Sequence, residues 1–320
     1  MKLTKLDLAA RTAIQVCMKV KKKERILVLT DINKYEIGYA LHKNARELGY
    51  YSLFVEMPVL KFNGEEPPAE IAELMKHFNV VFIPTSTSLT HTNARRTASA
   101  GGTRVATFPG ITSEVMIRGM NADYNKIAKL SNQLKALLEK KNEVRITTKL
   151  GTELTFSIAG RTAFSSKGLF HKPGESGNLP TGETFLAPVE GTANGVLVVD
   201  GSMASIGVVD KEPIHIEIKN GFAVSVSGGE KAQKFKELLA KFGKPAHNVA
   251  EFGIGTNDSA KISGVLLEDE KVLGTIHIAF GNNVSMGGTS NVPLHLDGVV
   301  KKPTVYLDGK LFMDNGKLLV

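Results

Sequence analysis

Apolar and polar positions follow two different periods along this chain, and the change falls near residue 142. Before that point, four compact apolar runs are typical of buried strands, and they alternate with stretches of helical spacing. This alternation predicts βαβ units and therefore an α/β half with a doubly wound, mostly parallel sheet. The last helical stretch of this half runs from about Ser113 to Lys141. The predicted strands lie at residues 24–31, 51–57, 79–85 and 103–110.

Beyond residue 142 the pattern becomes one of strict alternation. Segments 142–160 and 215–228 both place polar and apolar residues in turn, as half-buried hairpins do, and Asn220-Gly221 suits the two-residue turn of the second. No linker rich in proline or serine marks the join, so the switch in period sets the boundary. We predict an α/β domain at 1–141 and an α+β, β-rich domain at 142–320.

Composition narrows the class of protein. The 320 residues are 42% hydrophobic with a mean hydropathy of −0.04, as in globular proteins. No apolar run approaches the roughly 18 residues of a membrane span, and the N-terminus lacks the features of a signal peptide. The single cysteine, Cys17, favours a reducing, cytoplasmic compartment. The net charge of +8 comes from scattered basic residues, without tryptophan, so we predict neither a nucleic-acid nor a membrane partner.

Candidate chemistry concentrates in the second half. The first half has neither a GxGxxG nor a P-loop motif, which argues against a nucleotide. Near the end of the chain, His295 and Asp297 stand two apart in a predicted strand, so that both side chains point to one face and offer an imidazole beside a carboxylate. His277 lies among apolar residues in GTIHIAFG. Taken alone, a histidine in such a strand is more often a satisfied core residue than a metal ligand.

Two glutamates have a similar setting. Glu251 in AEFGIG and Glu183 in PTGETF both adjoin apolar residues and glycines, and buried carboxylates are costly unless they are paired or bound to metal. Each could be structural. Taken together, however, the five residues form a mixed nitrogen and oxygen set suited to zinc, manganese, cobalt or iron. They are sufficient for two metals if a carboxylate bridges them. The predicted ligands are Glu183, Glu251, His277, His295 and Asp297.

In their order along the chain, the motifs PTGETFLAPVEGTANG, AEFGIGTN, HIAFG and HLD resemble the thermophilic-type metalloaminopeptidases, the aminopeptidase T and aminopeptidase S group. The resemblance covers mainly residues 170–300. It implies a dinuclear centre of zinc, cobalt or manganese on the five residues named above. It also implies a homodimer and a small peptide substrate. On this basis we expect a hydrolase that releases N-terminal residues with a metal-activated water, Glu251 relaying the proton to the leaving amine.

One position departs from the aminopeptidase pattern. The family usually places a tyrosine seven residues after the HIAxG histidine, and this chain has Val284 there. Because the tyrosine is the presumed catalytic hydroxyl, its absence puts peptidase activity in doubt more than metal binding.

The chain is more distantly similar to the iron-dependent dioxygenase that opens dihydroxypyridine rings. The similarity lies in the HLD segment and in the EGT…LxxD stretch that begins at Glu190. By this resemblance, that enzyme has a histidine at the position of Glu251, and its residues at the positions of Glu183 and His277 are not ligands. The ligand types of this chain therefore match the aminopeptidase pattern better. The alternatives to the hydrolase are a mononuclear iron dioxygenase, with His277 or Glu251 completing a facial triad, and a small-molecule binder without turnover.

Overall fold

The computed structural model describes residues 2–319, and the chain divides into two compact units. The first unit comprises the residues up to Ala128 together with Ser166–Thr181. The second comprises Lys129–Ser165 and the residues from Gly182 onward. The division by contacts therefore falls inside a helix. The domain boundary after residue 141, drawn from periodicity, stays a prediction.

Helices are concentrated in the first unit. The first helix continues as a π-helical turn at Thr12–Cys17, and short 3₁₀ turns occupy Ile32–Lys34, Lys244–His247 and Val284–Met286. No helix among residues 2–319 has the length and apolar character needed to cross a membrane. The helices are α1 Lys5–Arg11, α2 Tyr35–Glu47, α3 Ala69–Met75, α4 Asn93–Ala100, α5 Ser113–Gly119, α6 Tyr124–Leu138, α7 Glu230–Ala240 and α8 Leu266–Asp269.

Strands occur in both units and form three sheets. They are β1 Arg25–Thr30, β2 Tyr51–Glu56, β3 Val80–Thr85, β4 Arg104–Pro109, β5 Glu143–Thr147, β6 Glu153–Ser157, β7 Phe164–Ser166, β8 Ser176–Asn178, β9 Glu183–Leu186, β10 Asn194–Val199, β11 Ser202–Met203, β12 Gly207–Val208, β13 Ile214–Lys219, β14 Phe222–Ser227, β15 Val249–Gly255, β16 Thr275–Gly281, β17 His295–Lys301, β18 Thr304–Leu307, β19 Lys310–Asp314 and β20 Lys317–Leu318.

The first unit is built on a parallel sheet, as the alternation of strands and helices predicted. Its order is β2-β1-β3-β4-β8, and every neighbouring pair is parallel. Strand β3 is buried along its whole length, which explains its continuous apolar sequence. One helical prediction was wrong in detail. The stretch from Ser113 to Lys141 is not continuous, because α5 ends at Gly119 and Asp123 then caps a new helix by accepting from the amide of Asn125 at 3.0 Å.

The second unit contains two antiparallel sheets. The eight-stranded sheet has the order β14-β13-β10-β6-β5-β18-β19-β20 and includes the predicted hairpins. In the β13–β14 turn, Asn220 and Gly221 have φ values of 49° and 82°, the left-handed conformation that a type I′ turn requires at both positions. The seven-stranded sheet has the order β12-β11-β17-β16-β15-β9-β7, and its pairs from β12 to β9 are antiparallel.

The core of the second unit covers one face of the seven-stranded sheet. Phe252 of β15 meets Phe156 edge to face with ring centroids 5.4 Å apart, and Phe280 of β16 meets Phe235 in the same way at 5.5 Å. Alternate residues of each strand must point to the opposite face. Strands β15 and β16 are buried throughout, so this second face is also covered, although its residues are polar or small.

Candidate metal centre

The buried second face of the seven-stranded sheet brings together all five predicted ligands. Each of four neighbouring strands contributes to it: β9 Glu183, β15 Glu251, β16 His277, and β17 both His295 and Asp297. The register explains their proximity, because Ala279 of β16 lies directly between Glu251 on one side and Asp297 on the other. The pleat therefore sends every second residue of the four strands to one polar patch.

Glu251 lies at the middle of this patch and contacts both histidines. Its Oε1 is 3.2 Å from Nε2 of His277, and its Oε2 is 3.1 Å from Nε2 of His295. Nε2 of His295 is also 3.4 Å from Oδ1 of Asp297, and Nε2 of His277 is 3.7 Å from Oε2 of Glu183. The side chains thus form two groups that share Glu251. Within each group, the atoms that could bind a metal ion all lie within 4.8 Å of one another.

The two groups differ in depth. The inner group, defined as Glu183, Glu251 and His277, is buried, and the side chain of His277 is 1% exposed. The outer group, defined as Glu251, His295 and Asp297, opens to solvent at His295, whose side chain is 31% exposed. A ligand from solvent would therefore meet the outer group first.

Small residues make room for the imidazole of the inner group. Gly253 pairs with His277 across the β15–β16 ladder, and a Cβ at position 253 would lie 2.0 Å from Nε2 of His277. Any side chain at this position would displace the ring. The glycine that follows Glu251 in AEFGIG is thus required by the close approach of a histidine from the neighbouring strand.

His295 is oriented from behind by the loop 282–294. Its Nδ1 donates to the carbonyl of Asn282 at 2.8 Å, which leaves Nε2 free to face the carboxylates. Glu190 fastens this loop, because it accepts from Nδ2 of Asn283 at 2.9 Å and from the amide of Thr289 at 2.7 Å, and it pairs with Arg161. Such outer contacts hold a ligating histidine in the correct orientation and tautomer.

Sequence reasoning missed two members of the patch, Glu270 and Lys271. Nζ of Lys271 is 2.6 Å from Oε1 of Glu183 and also pairs with Glu270, and the lysine is only 2% exposed. They follow α8 in the run LLEDEK, which has the composition of a solvated surface segment. Only the structure shows that this run is buried. Asp269 of the same run is fully buried and accepts hydrogen bonds from the amides of Ser263 at 2.7 Å and Gly264 at 3.0 Å.

The electrostatics of the patch follow from burial and pairing. Burial opposes charge on His277, but the hydrogen bond and charge of Glu251 outweigh it and raise the pKa of His277 to about 9. The same contest raises the pKa of His295 well above its usual value, chiefly through Asp297. Burial would raise the pKa of Glu251, yet the hydrogen bonds from the two histidines hold it well below its usual range. Burial raises the pKa of Glu270 to about 7.

A parallel α/β unit followed by antiparallel sheets with a buried carboxylate–imidazole patch defines a structural class, and the comparisons place this chain within it. The chain belongs to the NicX family: the model of that family, 2,5-dihydroxypyridine 5,6-dioxygenase, matches residues 7–320. Membership of a family named for this reaction implies a metal ion, and the patch supplies donors of the types that iron accepts.

The individual matches include the dioxygenase for which the family is named. The chain is 25% identical over 209 residues to 2,5-dihydroxypyridine 5,6-dioxygenase of Pseudomonas putida KT2440, a match that covers 62% of this chain and 59% of the relative. The solved structure of 2,5-dihydroxypyridine dioxygenase from the same strain superposes with a TM-score of 0.85 at 19% identity, covering 100% of this chain and 99% of that one. Wild-type AmpT from Thermus thermophilus gives 0.71 at 17%, covering 99% of each chain.

These comparisons overturn the main functional prediction. The expectation of a metalloaminopeptidase-like hydrolase or protease is wrong, because the family match runs through nearly the whole chain and names a dioxygenase. The likeness to AmpT shows the fold alone. The physical reason for the error is that carboxylates and imidazoles on one polar sheet face can hold a metal ion for either chemistry, so the ligand types alone do not separate a hydrolase from a dioxygenase. Val284, 49% exposed where the aminopeptidase pattern requires tyrosine, was the sequence signal against hydrolysis.

Proposed function

We propose that this protein is a non-haem iron dioxygenase that opens the ring of a small dihydroxylated heteroaromatic compound of the 2,5-dihydroxypyridine type. The observation that carries the proposal is the outer group in a chain of this family: Glu251, His295 and Asp297 converge from two strands, with His295 already oriented by Asn282. The alternative raised from the sequence, a mononuclear iron centre, thereby replaces the hydrolase.

The outer group suits a ferrous ion by the chemistry of its donors. One imidazole and two carboxylates form a set of three side chains that leaves positions for other ligands. The set differs from the two-histidine, one-carboxylate facial triad of non-haem iron oxygenases by a carboxylate in place of one histidine, and all three donors are of types that iron accepts. Glu251 here supplies the third ligand, one of the two candidates named from the sequence. When bound, iron would supply the oxygen chemistry that ring cleavage requires and that no amino-acid side chain can supply.

The remaining side chains have supporting tasks. Nε2 of His277 holds Glu251 by a hydrogen bond at 3.2 Å. Asn282 fixes the ring of His295 through its carbonyl. The buried position of the inner group excludes water from the far side of the centre. The predicted homodimer and the predicted absence of nucleic-acid and membrane partners stay predictions.

The test is turnover by anaerobically purified protein loaded with ferrous iron. We expect 2,5-dihydroxypyridine to lose its ring absorbance while oxygen is consumed in equal molar amount. Replacing His295 with alanine should abolish both signals. The matched control is His215→Ala, because His215 is an exposed histidine of the other antiparallel sheet. Normal turnover by the His295→Ala variant, or no oxygen uptake by the iron-loaded wild type with any dihydroxypyridine isomer, would reject the proposal.

A further inference from the structure

A buried ammonium group lies against the inner group. Nζ of Lys271 contacts Oε1 of Glu183 at 2.6 Å and also pairs with Glu270, and its side chain is 3% exposed. A lysine is buried to this extent only when its charge is matched. Glu183 therefore already has a cation, and one of its two oxygens is engaged by a group of this chain.

The two histidines of the patch are supported very differently. His295 donates from Nδ1 to the carbonyl of Asn282 at 2.8 Å. Within residues 2–319, Nδ1 of His277 is buried and has no hydrogen-bond partner. Histidines that ligate metals almost always donate the other ring nitrogen to a carboxylate, a carbonyl or water. The outer group thus has the support of a ligand site, and the inner group lacks it.

Charge leads to the same distinction. In the inner part of the patch, Lys271 faces Glu183 and Glu270, and Nε2 of His277 faces Glu251. A divalent ion placed there would have to approach the ammonium group and would compete with it for the carboxylate of Glu183. In the outer part, Oδ1 of Asp297 and Oε2 of Glu251 face the imidazole of His295, whereas the ammonium group of Lys271 pairs with Glu183 and Glu270. The negative charge of the outer carboxylates is therefore available to a cation.

We propose that Lys271 takes the place of a second metal ion, so that the centre binds one divalent ion at the outer group while the lysine completes the inner group. His277 then acts as a hydrogen-bond donor to Glu251 and not as a ligand. The inference deepens the proposed function, on which it rests for the presence of a metal, but it concerns metal number and can be measured without turnover.

The experiment is a titration of the metal-free full-length protein with Mn²⁺, followed by calorimetry and by electron paramagnetic resonance. Wild type should bind one ion per chain and give the spectrum of isolated Mn²⁺. The double variant Lys271→Met/Glu270→Gln removes the ammonium group and one of the two carboxylates with which it pairs. It should bind two ions and give a spectrum of exchange-coupled ions. Lys271→Arg keeps the positive charge and is the matched control, which should still bind one ion.

Two results would overturn this inference. One is a wild type that binds two Mn²⁺ ions per chain. The other is a double variant that has the circular dichroism of the wild type and still binds only one. Should the double variant fail to fold, Glu183→Gln decides the question, because it should keep one ion with wild-type affinity if Glu183 is no ligand. Loss of metal from Glu183→Gln would contradict the inference.

The outcomes for the inference and for the proposed function are separable. One bound metal without any ring opening would reject the dioxygenase and leave the role of Lys271 intact. Two bound metals in the wild type, together with ring opening, would reject the role of Lys271 and leave the dioxygenase.

Discussion

Replacing Gly253 with alanine would place a methyl group inside the space of the His277 ring. The added Cβ would lie 2.0 Å from Nε2 and 2.1 Å from Cε1, whereas ordinary contacts begin at 3.4 Å. The ring must therefore retreat by about 1.4 Å within a buried site, where His277 is 1% exposed. Overpacking of this kind costs about 1–3 kcal/mol. Losing the hydrogen bond between buried His277 and Glu251 adds about 1.5–3 kcal/mol.

We expect the metal-free Gly253→Ala protein to unfold at a lower urea concentration, with a loss of roughly 3 kcal/mol or more. The pKa of His277, read by proton NMR, should also fall from about 9 toward the ordinary 6.5. Gly101→Ala is the control, because Gly101 is an exposed helix end where the nearest atom to a Cβ is 3.4 Å away. It should change stability by at most about 1 kcal/mol. Wild-type stability and an unchanged His277 titration in Gly253→Ala would refute the packing argument.

Three further predictions concern the same patch. Glu251→His should keep one metal per chain, because it gives the outer group two histidines and one carboxylate. Glu251→Ala should lower the metal affinity by more than the ~100-fold that is typical of losing a contact outside the ligands themselves. Equal affinities in the two variants would show that position 251 is no ligand. Folding raises the pKa of His277 from 6.5 to about 9, so the metal-free protein should be fully stabilised by His277 below pH 6.5 and lose that stabilisation as the pH rises through about 9. Thermal melts across this range should show the loss of stability. The His277→Asn variant should lack this pH dependence. Glu190→Gln should weaken Mn²⁺ binding by about tenfold, because the loop that orients His295 loses its ion pair with Arg161; an unchanged calorimetric affinity would argue against that role.

The strand positions and the polar face could be predicted from sequence because both depend on local periodicity. The alternation in HLD and GTIHIAFG places His277, His295 and Asp297 on one face as soon as the strands pair in the observed register. The Asn220-Gly221 hairpin likewise follows from the backbone preferences of two residues. The break between α5 and α6 could not be seen in this way, since apolar spacing continues through it.

Lys271 could not be predicted because its environment is created by distant residues. Its neighbours in sequence are acidic, which indicates a surface, but Glu183 comes to it from β9. The choice between hydrolase and dioxygenase could not be made from the sequence for the same reason. The five ligand types occur in the order of the aminopeptidase pattern, whereas the ammonium group of Lys271 beside the inner group becomes apparent only in the folded chain.

The central claim is that this centre inserts molecular oxygen into an aromatic ring, and the most direct measurement is the source of the oxygen in the product. The iron-loaded protein would be given 2,5-dihydroxypyridine under heavy-isotope oxygen gas in ordinary water, and the product analysed by mass spectrometry. We expect both oxygen atoms added at the cleaved bond to carry the heavy label, and no product from the His295→Ala variant. A product whose new oxygen comes from water, or a protein that instead releases amino acids from a dipeptide, would contradict the account.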